Sequence, residues 1–216
     1  AQYAATDSIG PGSVNLLTGD YRLSSTDVDE FGLSIGRTAS SRDPRAGLQP
    51  QAELLTSAQQ TIASASGFGS WYTSVSRVTP RGHGGMDSLR VTATGGSSDS
   101  FAEVPLAQYL PGGATYRVTG WVYVPAATGL SPASGRGLRL VALWQDAAGA
   151  TGEARSAPAD RTDGWQQLSV EFTVPAGAKL GGFLRLYNGF STAGKEVFFD
   201  DLSVRPVWAP FGPQWS

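Results

Sequence analysis

The chain has 216 residues with 16 basic against 18 acidic side chains, and its net charge of -2 leaves no electrostatic footprint for nucleic acid. It has no cysteine, which excludes disulfides, thiolate metal sites and a cysteine nucleophile; no apolar run approaches the ~20 residues that span a bilayer. With 28 Gly, 13 Pro and 16% charged residues, it reads as short strands joined by many turns rather than as helices.

Residues 1–12, ending Gly10-Pro11-Gly12, read as an irregular lead-in, and the first six lack the basic and apolar regions of a signal peptide. A short strand at about residues 14–18 follows, then a polar, loop-like stretch to Pro50. Within it, Asp27-Val28-Asp29-Glu30-Phe31-Gly32 has the sixth-position glycine of a calcium loop. Phe31 at the fifth position and Thr38 at the twelfth rule out an EF-hand. Residues 52–64 fit a short helix or a strand. Asn15-Leu16-Leu17-Thr18, with Phe31-Gly32 after it, is echoed by Glu53-Leu54-Leu55-Thr56 with Phe68-Gly69, too briefly to make a repeat.

From Ser70 the alternation becomes regular. Residues 71–78, 88–93, 100–104, 116–124, 138–144, 165–174, 183–187 and 197–204 are strand candidates separated by Gly- and Pro-rich turns. In the best run, Tyr116, Val118, Val122 and Val124 face a core, while Arg117, Thr119, Trp121 and Tyr123 face the other way. The expected fold is all-β: a two-sheet antiparallel jelly-roll sandwich over residues 51–205. The first 50 residues are expected to be irregular apart from one strand lent to the sandwich. Residues 206–216 hold three prolines beside Trp208, Phe211 and Trp215, and read as an extended arm docked in a groove of its own domain or of a neighbouring subunit.

Catalytic patterns are missing. The one histidine, His83, lies in Gly82-His83-Gly84-Gly85 and reads as an exposed loop residue. No nucleophile elbow or phosphate-binding loop is present, and acids are sparse on the aromatic strands, so no enzyme is expected. The aromatics point to binding, because flat rings stack on sugar faces while polar neighbours bond the hydroxyls. Trp121 and Tyr123 share a face with Arg117, and of Trp71 and Tyr72 one must point outward. Arg139, Gln145, Arg185 and Asn188 are the candidate polar partners. The competing reading is that these rings fill the interior.

Several segments fall in a recognisable order: Asn15-Leu16-Leu17-Thr18, then Gly85-Met86-Asp87-Ser88-Leu89-Arg90-Val91, Tyr116-Arg117-Val118-Thr119-Gly120-Trp121-Val122, Trp165 through Phe172-Thr173-Val174-Pro175-Ala176-Gly177, and the closing Val197-Phe198-Phe199-Asp200-Asp201-Leu202-Ser203-Val204. This order resembles the carbohydrate-binding modules of the galactose-binding-like superfamily. The resemblance implies a jelly roll and a structural calcium held by the closing-strand acids Asp200 and Asp201. The family's acid after the opening strand is replaced by Gly19-Asp20-Tyr21-Arg22, which leaves Asp20 as the substitute. The alternative is a carboxylate that caps backbone amides.

Such modules occur in secreted glycoside hydrolases and in minor tail and virion surface proteins of actinobacterial phages. The lysine-poor, Ala-, Gly- and Arg-rich composition and the aromatic tail suit the second setting. The expectation is a non-catalytic virion or extracellular component touching host-envelope glycans, neighbouring virion proteins or further copies of itself. The alternative is a module of a secreted glycoside hydrolase.

Overall fold

A computed structural model describes residues 6–9, 12–15, 21–30, 33–40, 49–50, 53–106, 114–130, 136–145, 148–175 and 179–208. The chain divides into two compact units, one of residues 1–50 with 207–216, the other of residues 51–206.

The first unit corrects the expectation of an irregular segment. β1 (Thr6–Ile9), β2 (Gly12–Asn15), β3 (Tyr21–Glu30) and β4 (Leu33–Ser40) form a four-stranded sheet in sequence order. β2 pairs with β1 and β3, and residues 16–18 of the expected strand lie outside the described residues. Its neighbours hid themselves by a register shift between Thr26 and Val28, which breaks the two-residue period in the middle of β3. Either side of that shift, Leu23 faces Ala39 and Val28 faces Ile35 across the ladder. β5 (Gln49–Pro50) pairs with Val207 and Trp208, the end of the closing strand. Trp208 therefore belongs to a strand that runs through Pro206, whereas Phe211 and Trp215 lie outside the described residues.

The second unit is the sandwich. Its ambiguous beginning is a single helical turn, α1 (Ser57–Gln60), set by a capping box in which Thr56 Oγ1 accepts from Gln59 N and Gln59 Oε1 accepts from Thr56 N. The strands are β6 (Gly69–Trp71), β7 (Thr73–Val78), β8 (Ser88–Ala93), β9 (Phe101–Pro105), β10 (Thr115–Tyr123), β11 (Arg139–Gln145), β12 (Thr151–Arg155), β13 (Trp165–Thr173), β14 (Lys179–Tyr187) and β15 (Glu196–Trp208). One sheet has the order β13-β10-β15-β8-β7 and the other β12-β11-β14-β9-β6, antiparallel at each described pairing. This is the all-β jelly-roll sandwich. No helix among the described residues is long and apolar enough to cross a membrane.

β10 buries every second residue, Tyr116, Val118, Gly120 and Val122, against Leu140, Leu184, Leu186 and Leu202 of the shared core. Gly120 leaves no room for a side chain: an added Cβ would sit 2.8 Å from Leu202 Cδ2 on the neighbouring strand and 3.3 Å from Leu140 Cδ1 on the facing sheet. Gly120→Ala is expected to lower stability by about 1–3 kcal/mol in urea unfolding, since both leucines must shift.

The opening of the sandwich is held by Glu53-Leu54-Leu55, the second copy of the echo; Leu16 and Leu17 of the first lie outside the described residues. Leu54 N donates to Val204 O at 2.9 Å. The Glu53 carboxylate accepts from Leu54 N and Leu55 N at 3.1 Å, from Val204 N at 2.7 Å, from Ser203 Oγ at 2.6 Å and from Arg205 Nε at 3.0 Å. One carboxylate thus ties the first residues of the unit to its last strand.

Candidate functional site

Each sheet of the sandwich has an outer face that carries aromatic side chains, and the two faces are finished differently. On the β13-β10-β15-β8-β7 sheet, Trp121, Tyr123, Trp165 and Phe198 form a row covered by the link between β7 and β8. The His83 ring stacks on Trp121 with centroids 3.7 Å apart and planes 14° from parallel, and meets Trp165 edge-on at 5.7 Å. Arg81 lies over Phe198 at 4.6 Å and over Tyr123 at 5.1 Å. His83 Nδ1 is 2.8 Å from Asp201 Oδ2, and its backbone N donates to Asp200 Oδ2 at 2.7 Å. The glycines permit this close seating: a Cβ on Gly84 would lie 2.5 Å from the Asp201 carboxylate, and one on Gly82 2.4 Å from Gly85 O.

His83 is the exposed loop residue expected from the sequence, and its ring and backbone are also tied to Trp121, Asp200 and Asp201. It occupies the position over Trp121 that a stacked sugar would need. Arg117, on the same face, is bound to Glu171 across the β10–β13 ladder.

Asp200 is 1% exposed. Burial pushes its carboxyl above the usual range, against the opposing pull of the His83 and Asp201 amides. Oδ2 takes the His83 N–H and Oδ1 takes the Asp201 N–H at 2.8 Å. No group of three or more His, Asp or Glu side chains converges among the described residues, and Asp20 lies outside them. Asp200→Ala would leave two partly buried amides without acceptors, and a loss of about 2–4 kcal/mol in thermal or urea unfolding is expected.

On the β12-β11-β14-β9-β6 sheet, the strand registers arrange three rows of outward residues. Trp71, Phe101, Tyr187 and Arg139 make the first. Glu103, Arg185, Val141 and Arg155 make the second, and Phe183, Leu143 and Glu153 belong to the third. Phe101, Val141, Leu143 and Tyr187 form a buried apolar floor separate from the main core, with Phe183 packed against it.

Charge lies on that floor in pairs. Arg185 sits 4.0 Å above Phe101 and bonds Glu103 at 3.0 Å. Arg136 sits 5.3 Å from the Tyr187 centroid and bonds Asp99 at 2.9 Å and Glu153 at 3.1 Å. Arg155 also pairs with Glu153. Burial, more than any other cause, pushes the Tyr187 hydroxyl up to about 12, so it stays a donor, to Asp99 Oδ1 at 2.9 Å. For Glu153, burial works upward, but hydrogen bonds from Arg155 and Arg136 outweigh it and hold the carboxyl below its usual range.

A cleft of about 410 Å³ opens here, lined by Arg136, Trp144, Gln145, Glu153, Phe183 and Arg185. A second of about 260 Å³ shares Arg136 and includes Asp99 and Arg155. At the far edge, Trp71 is 55% and Tyr72 43% exposed, their rings edge-to-face at 5.4 Å. Tyr72 has φ 50° at the point where the chain leaves β6 for β7 in the other sheet.

Of the residues singled out in the sequence, Trp71, Arg139, Gln145 and Arg185 thus lie on one face and Arg117, Trp121 and Tyr123 on the other. Asn188 lies on neither, being fully buried. Its amide donates to Val91 O and Lys195 O and accepts from Phe190 N, so its capacity is used inside the protein. Sequence reasoning passed over Phe101, Glu103, Arg136, Glu153 and Tyr187. The alternation of Phe183, Arg185 and Tyr187 was the available signal for this face.

No protein-family model matches the chain. No curated protein matches it either. Among solved structures, the CBM22-1 xylan-binding domain of Paenibacillus barcinonensis Xyn10C superposes with a TM-score of 0.57 at 17% identity, over 74% of this chain and 98% of that one. The CBM22-1–GH10 modules of Clostridium thermocellum xylanase Xyn10B, solved with xylohexaose, give 0.55 at 19% identity over 71% of this chain. The matched part is 28% of that xylanase polypeptide. A family 16 carbohydrate-binding module gives 0.51 at 20% identity, over 70% of this chain and 98% of its own. At these identities the likeness is one of fold: the sandwich has the jelly-roll architecture of carbohydrate-binding modules.

Proposed function

We propose that the sandwich is a non-catalytic glycan-binding module and that its site is the outer face of the β12-β11-β14-β9-β6 sheet. The observations that carry this reading lie on that face: a cleft of about 410 Å³ with fixed arginine–carboxylate pairs near one edge, and the exposed Trp71 at the other edge of the face. Four interstrand spacings make it about 19 Å across, long enough for several sugar units. Trp71 offers a stacking plane, Arg185 and Arg136 offer hydrogen-bond donors held in place by their carboxylate partners, and Gln145 adds an exposed amide.

The chemistry favours binding over hydrolysis. A glycosidase needs one carboxyl raised to act as an acid, whereas Glu153 in this cleft is held ionised by two arginines. The virion-surface setting expected from composition belongs to this proposal, with host-envelope glycans or neighbouring virion proteins as partners. A module attached to a secreted hydrolase is the other setting that this fold serves.

Xylan is the first polymer to try, because two of the similar structures carry xylan or xylohexaose in their descriptions. In calorimetric titration with xylohexaose, saturable binding is expected, and Trp71→Ala and Arg185→Ala should each weaken it by about 10-fold or more while leaving the unfolding midpoint near that of the parent. Absence of heat with xylohexaose and with a glycan panel, or variants that bind like the parent, would contradict the proposal.

A further inference from the structure

The arginines of the groove are not all answered. Arg136 is paired with Asp99 and Glu153, Arg155 with Glu153, and Arg185 with Glu103. Arg139 has no carboxylate partner among the described residues. Its one hydrogen bond is from Nη1 to Ser156 O, at a long 3.4 Å. Its Nε is buried with no acceptor. A guanidinium kept partly from water without an anion is costly, and nearby Arg155 adds like-charge repulsion. Among the described side chains, four arginines against Asp99, Glu103 and Glu153 leave one positive charge in excess on this face, and the excess sits at Arg139. By register, Arg139 continues the row of Trp71, Phe101 and Tyr187, whose last two rings are covered by Arg185 and Arg136, so a glycan crossing the face from Trp71 over those arginines ends beside it.

We propose that Arg139 reads a carboxylate on the glycan, which makes the preferred ligand a chain of mainly neutral sugars bearing isolated uronic acids. This rests on the glycan-binding reading above. Arginine suits the task because its planar donor edge matches a carboxylate with two parallel hydrogen bonds. The spacing of charge sets the ligand's charge density. Asp99, Glu103 and Glu153 repel a polyanion, while a single acid meets the single unanswered cation. For that reason a carboxylate is favoured over a phosphate-rich polymer.

The test uses three probes on the full chain by titration calorimetry: a xylo-oligosaccharide with one glucuronic acid branch, the same compound with its carboxyl reduced to the alcohol, and a glycerol-phosphate oligomer. The expected result is an affinity for the acidic probe about 10-fold or more above that for the reduced one, narrowing as salt rises. Arg139→Gln should lower affinity for the acidic probe by far more than for the reduced one, bringing the two level, and Arg139→Lys should recover only part of the preference. Equal binding of acidic and reduced probes overturns the carboxylate reading and leaves glycan binding standing. Tighter binding of the phosphate oligomer overturns it in favour of a phosphate ligand. Binding of none of the three, with xylohexaose also silent, overturns both.

Discussion

Replacing Glu53 by alanine lowers the unfolding free energy of the sandwich by about 3–5 kcal/mol, the largest single-residue effect expected on its stability. Only 12% of the side chain is exposed, and its two oxygens take three backbone N–H groups, one hydroxyl and one guanidinium. Alanine leaves these donors in a site from which water is largely excluded, at the seam where residues 53–55 meet Ser203–Arg205. Glu53→Gln keeps the shape but turns an NH₂ toward donors, and an intermediate loss is expected. Urea unfolding of the two variants checks this. A loss below about 1 kcal/mol for the alanine variant would mean that the seam is held by other contacts.

Trp121→Ala is expected to cost about 2–4 kcal/mol of stability and to leave xylohexaose affinity unchanged. The indole supports His83, and through His83 the link that brings Arg81 over Tyr123 and Phe198. His83→Ala should reproduce part of the loss, about 1–2 kcal/mol, by removing the ring and its contact to Asp201. Thermal unfolding and sugar titration on the same preparations separate the two roles. A weakened affinity at undiminished stability would place the sugar on the Trp121 face instead.

The contrast between these two faces shows what the sequence can and cannot convey. The alternation in residues 116–124 stated correctly that Tyr116, Val118 and Val122 go inward and Trp121 outward, because side-chain direction in a strand is a local property. What then covers Trp121 is decided by a residue 38 positions earlier, tied to acids 117 and 118 positions further along than itself. No local pattern carries that. The segments around Ser88–Ala93, Thr115–Tyr123 and Trp165–Thr173 were legible for the same reason as the alternation, each being one strand with its own period.

Glu53-Leu54-Leu55 opens the sandwich, a role that the sequence does not distinguish from that of Asn15-Leu16-Leu17, whose two leucines lie outside the described residues. The two segments look alike as sequence, and only Glu53 has the carboxylate that the closing strand requires. The groove was half visible: Trp71, Arg139, Gln145 and Arg185 were singled out. Glu103, which pairs with Arg185, and Glu153 and Asp99, which pair with Arg136, come from three other segments that the order β9, β14, β11 and β12 brings to one face.

The central claim is that sugar binds on the Trp71–Arg185 face. Backbone amide NMR of the chain titrated with xylohexaose tests it most directly. The expected result is a set of concentration-dependent shifts at Trp71, Phe101, Glu103, Arg185 and Gln145, with His83 and Trp121 unmoved. Shifts confined to the His83–Trp121 face would contradict it.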